Sequence, residues 1–192
     1  MTDTLVDTES ALVVIDLQRG VVAAPTQPHS TDDVISRSAA LAKAFRAQGL
    51  PVVLVRVSFS PDGADMPPGR TMQPTGAFTP PAGWDELLDD LDPHPTDIRI
   101  TKHQWGAFHG TDLDLQLRRR GITTIVLTGI STSIGVESTA RAAHEHAYNV
   151  VIATDATSDR DPASHTHSTE KIFPRLGRTA TTEEILAALV QP

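Results

Sequence analysis

Short runs rich in β-branched residues recur along this chain, and each is separated from the next by a stretch with helical character. The runs are Leu12-Val13-Val14-Ile15, residues 51–57 (PVVLVRV), residues 97–102, Ile122-Thr123-Thr124-Ile125-Val126-Leu127 and Val150-Val151-Ile152-Ala153, with a last short strand near Arg178. Strands that alternate with helices pair in parallel and are covered on both faces. The expectation is an α/β fold: a three-layer α/β/α arrangement on a parallel, Rossmann-like sheet of about six strands.

Local signals place the helices between these strands. Residues 32–48 read as a helix with Ser30 or Thr31 as N-cap and Gly49 as its stop. Residues 84–91 read as a short helix, and residues 113–120 as one led by Thr111 or Asp112 and stopped by Gly121. Residues 134–146 are helical, with Ala140, Ala143 and Ala147 forming a small-residue face. A helix over 162–173 opens on Pro162, and a terminal helix is announced by the capping box Thr181-x-x-Glu184. Residues 58–82 carry six prolines and several glycines. So long an irregular stretch is either one wall of a pocket or a plain surface excursion.

Composition narrows the function classes. A length of 192 residues suits one domain, taken here as 1–192. The net charge of −8 leaves no basic face to displace phosphate counterions, so no nucleic-acid partner is expected. The basic run Arg118-Arg119-Arg120 lies where a helix ends and cations favour the helix dipole. The sequence contains no cysteine, which rules out disulfides, thiolate–zinc sites and thiol catalysis together. The acidic N-terminus lacks an apolar core, and no apolar stretch approaches the ~18 residues of a membrane span. A cytoplasmic protein with no membrane partner is the expectation.

In open parallel sheets, ligands bind outside the carboxyl ends of the strands. Asp16 ends the first strand, Lys102 ends the third, and residues 129–135 connect the fourth to its helix. Three residues far apart in sequence are therefore expected on one edge of the sheet. Each alone also has a plainer reading: Asp16 as a turn residue, Lys102 as a solvated cation, Gly135 as a packing glycine.

The segments around these residues resemble the isochorismatase-like hydrolases over nearly the whole chain. ALVVIDLQRG resembles that family's first strand with its catalytic Asp, and KHQWGAFHGTDLDLQLRRRGI its Lys segment. TGISTSIGVESTARAAHEHAYNVVIATDA resembles its signature loop and helix. Commoner members carry an Asp, Lys and Cys triad. Here Gly135 stands at the Cys position, as in the isochorismatases proper, although Val136 follows it where they typically have Cys. The resemblance implies a catalytic set of Asp16, Lys102 and Gly135. It also implies an oxyanion hole from the backbone N–H groups of Ser131 and Gly135, with a cis peptide at Ile130-Ser131. The family's metal-binding members carry Asp-x-His after the second strand. This chain reads Val57-Ser58-Phe59-Ser60-Pro61 there, so neither a metal nor another cofactor is expected. A Gln and an Arg hold substrate in isochorismatases, and Ser60 and Arg70 stand nearest those places. Phe59, Trp105, Phe108 and Ser133 complete the substrate-pocket candidates, while His103 and His109 flank Lys102. The family also implies a homo-oligomer, dimer or tetramer.

Three functional readings follow. In the first, a hydrolase acts on a small, anionic metabolite without a covalent intermediate, with Asp16 as acid/base, on a vinyl ether of the isochorismate type. In the second, an amide or ester is hydrolysed by activated water or by Ser131 or Ser133. In the third, the chain is a catalytically silent binder of a small molecule.

Overall fold

The computed structural model describes residues 4–67, 71–72 and 78–190. Its elements in chain order are β1 (Ser10–Ile15), α1 (Arg19–Val22), α2 (Thr31–Ala47), β2 (Val52–Val57), β3 (Ile98–Lys102), α3 (Leu113–Arg118) and β4 (Thr124–Ile130). A π-helical turn, Thr132–Val136, leads into α4 (Glu137–Glu145), followed by β5 (Asn149–Ser158). Then come α5 (Pro162–His167), a second π-helical turn (Ser168–Ile172), α6 (Phe173–Leu176), β6 (Arg178–Ala180) and α7 (Thr182–Val190). The six strands form one parallel sheet in the order β3-β2-β1-β4-β5-β6.

Every residue of β1 is buried, because helices cover both faces of the sheet. Val13 and Ile15 point into one core with Val53, Val55, Ile125, Leu127 and Ile152, closed by Leu113 and Leu117 of α3, Ala140 and Ala143 of α4 and Phe173 of α6. Leu12 and Val14 point into the other with Leu54, Val126 and Val151, closed by Leu41 and Phe45 of α2 and Ile185 of α7. Alternate residues thus serve opposite cores, which is why the strands read as continuous apolar runs.

The local stop and start signals work as their chemistry requires. Ser30 Oγ accepts the Asp33 N–H at 3.1 Å at the head of α2. Thr181 and Glu184 exchange both capping-box bonds, at 2.7 and 3.3 Å, at the head of α7. At the head of α5, Asp161 accepts from Ala163 N–H and Ser164 N–H, with Pro162 in the first turn.

Several expected boundaries are corrected by long-range pairing. Residues 84–91 form no α-helix; only Asp89–Leu91 make a 3-10 turn. Their backbone groups are taken by the chain after β1 instead: Arg19 N–H donates to Glu86 O at 2.9 Å, Gly20 N–H to Trp84 O at 2.8 Å, and Leu88 N–H to Leu17 O at 3.2 Å. β4 begins two residues later than expected and runs on to Ile130, since Ile122 N–H is spent on Leu117 O behind α3. β5 runs past Asp155 to Ser158, and Asp155 inside it accepts from the N–H and hydroxyl of Thr182. The short helix α1 had no counterpart in the sequence reading, and helical turns begin at Thr132, two residues before the expected start.

One glycine makes the sheet edge possible. Gly129 has φ 114°, and a Cβ on it would meet Ile15 O at 2.0 Å. The ends of β1 and β4 therefore approach as no side chain would permit, at the point where the β4–β5 register shifts.

Candidate active site

Asp16 is the first residue past β1 and turns sharply, with φ 52°, a left-handed conformation that Asp tolerates better than most residues. Its N–H still pairs with Val55 O of β2 at 3.0 Å, and Gln18 N–H closes the turn on Asp16 O at 2.9 Å. The side chain points into the protein, leaving the residue 6% exposed. Lys102 ends β3, whose inward residues Ile98, Ile100 and Lys102 alternate with exposed ones, and it is 2% exposed. Lys102 Nζ reaches Asp16 Oδ2 at 2.7 Å and donates also to Gln104 O at 3.0 Å. The two charges neutralise each other out of water.

The other carboxylate oxygen, Asp16 Oδ1, is buried without a hydrogen-bond partner among the described residues. Burial is the larger influence on this carboxyl and raises it to about 6, against the opposing pull of the Lys102 ammonium.

Gly135 closes the group. It lies in the π-helical turn at the head of α4, and a Cβ built on it would stand 3.3 Å from Asp16 Oδ2 and 2.9 Å from Ile15 Cγ2. Thr139, one turn on, donates its hydroxyl to Gly135 O at 2.7 Å and accepts Ala107 N–H at 3.1 Å. That hydroxyl ties the Lys102 loop to the head of α4. The structure thus brings Asp16, Lys102 and Gly135 together from three strand ends.

The turn itself is held from below. The Ile130–Ser131 peptide is cis. Ser131 O accepts the N–H groups of Ile134 and Val136, both at 3.2 Å. Ser133 N–H and Ser133 Oγ both donate to Asp159 Oδ2, at 2.7 and 2.8 Å. Thr132 Oγ1 lies 2.9 Å from His165 Nδ1, and burial together with the neighbouring His29 holds that imidazole below its ordinary value. Asp159 has no counterpart in the sequence analysis: it stands just past β5, which runs five residues beyond the expected end at Ala153. An acidic residue after a strand end was the available signal.

The pocket candidates separate. Phe59 lies near Trp84, with ring centroids 6.2 Å apart, and Phe78 meets the same indole at 5.4 Å. Trp105 is 64% exposed, with its carbonyl on the Gly135 side of the site. Ser60 is spent on its own turn, its hydroxyl donating to Asp62 and Asp65. Phe108 is corrected from pocket wall to core: it is buried with Leu113 and Leu117, and its ring stacks on His146 and lies tilted against Tyr148. Arg70 lies outside the described residues. His103 Nδ1 meets Ser58 O at 2.7 Å, tying the β2 and β3 ends together at the surface. Among the described residues no group of three or more His, Cys, Asp or Glu is arranged to hold a metal, and no helix is long and apolar enough to cross a membrane.

Comparison with known proteins gives a consistent result. Residues 10–184 match the family model for the isochorismatase domain. The isochorismatase family protein YecD of Escherichia coli O157:H7 is 51% identical over 180 residues, covering 94% of this chain and 96% of its own. Ureidoacrylate amidohydrolase RutB of Pseudomonas syringae pv. syringae (strain B728a) is 33% identical over 177 residues, 80% of this chain and 72% of its own. A solved isochorismatase family protein from Burkholderia thailandensis superposes with a TM-score of 0.94 at 49% identity, covering 98% of this chain and 99% of that one.

Proposed function

This chain belongs to the isochorismatase family and is a hydrolase, and we propose that it acts on a small metabolite with Asp16 as acid/base and without a covalent intermediate. The observation that carries this reading is the Asp16 carboxylate, whose Oδ1 is buried without a partner among the described residues and whose Oδ2 lies beside Gly135, a residue that has no side chain. A buried carboxylate oxygen left without a partner is costly unless a ligand or water completes it.

On a vinyl ether the steps balance without a nucleophilic side chain. Protonated Asp16 delivers its proton to the terminal alkene carbon, and the π electrons form the new C–H bond. The oxocarbenium centre left behind is attacked by water. The resulting hemiketal loses the ring alcohol and releases pyruvate, and the proton shed by water returns to Asp16. Lys102 tunes the carboxyl through its 2.7 Å contact, and the N–H groups of Ser131 and Gly135 receive the substrate's anionic end.

The likeness to a ureidoacrylate amidohydrolase favours a second reading on the same residues: ionised Asp16 activates water against an amide or ureido carbonyl. A serine nucleophile fits less well, because the Ser133 hydroxyl and its own N–H both go to Asp159. Homo-oligomeric assembly is proposed on the family likeness, and light scattering on the purified protein tests it.

The test is pyruvate release from isochorismate, coupled to lactate dehydrogenase, for wild type beside Asp16→Asn. Release that falls at least about a hundredfold in the variant supports acid/base catalysis on a vinyl ether. A loss of less than about tenfold removes Asp16 from that role. No release by either protein removes isochorismate and turns the assay to ureido acids and amides.

A further inference from the structure

Gln18 is fully buried two residues after Asp16, and every polar atom of its side chain is used on another part of the chain. Its Oε1 accepts Val57 N–H at 2.8 Å, and its Nε2 donates to Val57 O at 2.9 Å and to Trp84 O at 3.3 Å. These bonds answer a specific problem in the sheet. β1 pairs with β2 up to Ile15 against Val55, and Asp16 N–H still bonds Val55 O. The main chain then turns away at Asp16, leaving the next β1-facing peptide groups of β2, those of Val57, with no strand residue opposite. A side-chain primary amide has the same donor and acceptor as a peptide group, and Gln18 supplies both to Val57.

Val57 is also the residue that faces Lys102 across the β2–β3 ladder, and the following Ser58 N–H donates to Lys102 O at 3.0 Å. Asp16 and Lys102 belong to strands that are not neighbours; β2 lies between them. Their contact is made over the end of β2, and the end of β2 is held on the β1 side by Gln18. We propose that Gln18 is a positioning residue of this site: its amide stands in for the strand residue that β1 no longer provides, and so holds Asp16 and Lys102 in contact across the end of β2. It touches neither the reacting atoms nor the space beside Gly135, and acts through Val57.

The inference rests on the reading of Asp16 as the acid/base, and its test does not depend on turnover. The Asp side-chain carboxyl carbons are labelled with 13C and followed by NMR across pH 3 to 9, with Asp16→Asn identifying the signal. Wild type is compared with Gln18→Met, which keeps the length and removes the amide, and with Gln18→Asn, which keeps the amide and loses the reach. Circular dichroism checks that each is folded; should Gln18→Met fail to fold, Gln18→Asn gives the same reading. Loss of the clamp admits water to the pair, and burial is the larger of the influences on Asp16. The expected result is a titration midpoint displaced by about half a pH unit or more from wild type in the folded variants, downward where water enters and upward where Lys102 draws away. A smaller change, or none, overturns the proposal and leaves Gln18 a residue of stability alone. If Asp16→Asn retains turnover, the acid/base reading fails separately, and the titration still reports what Gln18 does to the pair.

Discussion

Gly135 meets the carboxylate of Asp16 with no side chain between them: a Cβ on residue 135 would lie 3.3 Å from Asp16 Oδ2. At that distance, and 2.9 Å from Ile15 Cγ2, a Cβ would be crowded, and the chain has no thiol to place there. On the proposed reading, the missing side chain leaves room beside the carboxyl for a water or part of a substrate.

Filling that room is the most direct trial of its importance. In Gly135→Ala, Ile15 Cγ2, 2.9 Å from the new methyl carbon, must give way. Overpacking costs about 1–3 kcal/mol, and the better helix propensity of Ala returns about 1 kcal/mol, so stability changes modestly. Turnover is expected to fall at least about tenfold, because the methyl occupies substrate space. Thermal unfolding and steady-state kinetics on the two proteins check this, and wild-type kinetics in a folded variant would sink it.

The pH profile follows from the sign of the Asp16 shift. Its carboxyl sits at about 6, above the ordinary carboxylate value, chiefly through burial. If the protonated form delivers the proton, kcat/KM is expected to be level below pH 6 and to fall about tenfold per pH unit above it. A profile that rises through pH 6 would instead mark ionised Asp16 as a base, the amidohydrolase reading. The same shift has a consequence for stability. Between the ordinary carboxylate value and about 6 the native state binds more protons than the unfolded chain, so this group makes stability decline as pH rises through that window. Denaturation midpoints across pH 4 to 7 are expected to show a shallower decline in Asp16→Asn than in wild type.

The buried pair is expected to respond unequally to losing either partner. Lys102→Met leaves Asp16 without its cation, and the carboxyl escapes by taking up a proton, its titration moving higher still. Asp16→Asn leaves an ammonium 2% exposed, with Gln104 O as its remaining partner among the described residues and a weaker one in the new amide. An uncompensated buried charge costs about 3–5 kcal/mol, so Asp16→Asn is expected to lose clearly more stability at pH 7 than Lys102→Met. Urea unfolding of both variants measures the difference, and equal losses would contradict this account of the pair.

Much of this architecture is written in local pattern. The cap at Ser30, the box at Thr181 and Glu184 and the stops at Gly49 and Gly121 concern residues within a few positions of each other, and they are readable for that reason. The larger failures are non-local. Residues 84–91 have helical composition, yet their peptide groups bond to residues 17–20, which no periodicity within the segment reveals. Phe108 sits beside Lys102 in sequence and belongs to the core, because the chain turns inward after Gly106, whose missing Cβ would stand 3.4 Å from Ser138.

The chain by itself determined the order of strands and helices, the use of both sheet faces as core, and the absence of a thiol, since these depend on residue types and their short-range spacing. Asp16, Lys102 and Gly135 could also be named in advance through the family resemblance of their segments, and a parallel sheet, which brings its strand ends to one edge, made their convergence expected. Only the tertiary structure decided that Asp16 keeps one oxygen unpaired among the described residues while giving the other to Lys102, that Asp159 holds the Ser133 turn, and that Gln18 completes the end of β2. Those facts turn on which of many equivalent donors and acceptors come within 3 Å of each other, and that is set by how far each strand runs before it bends.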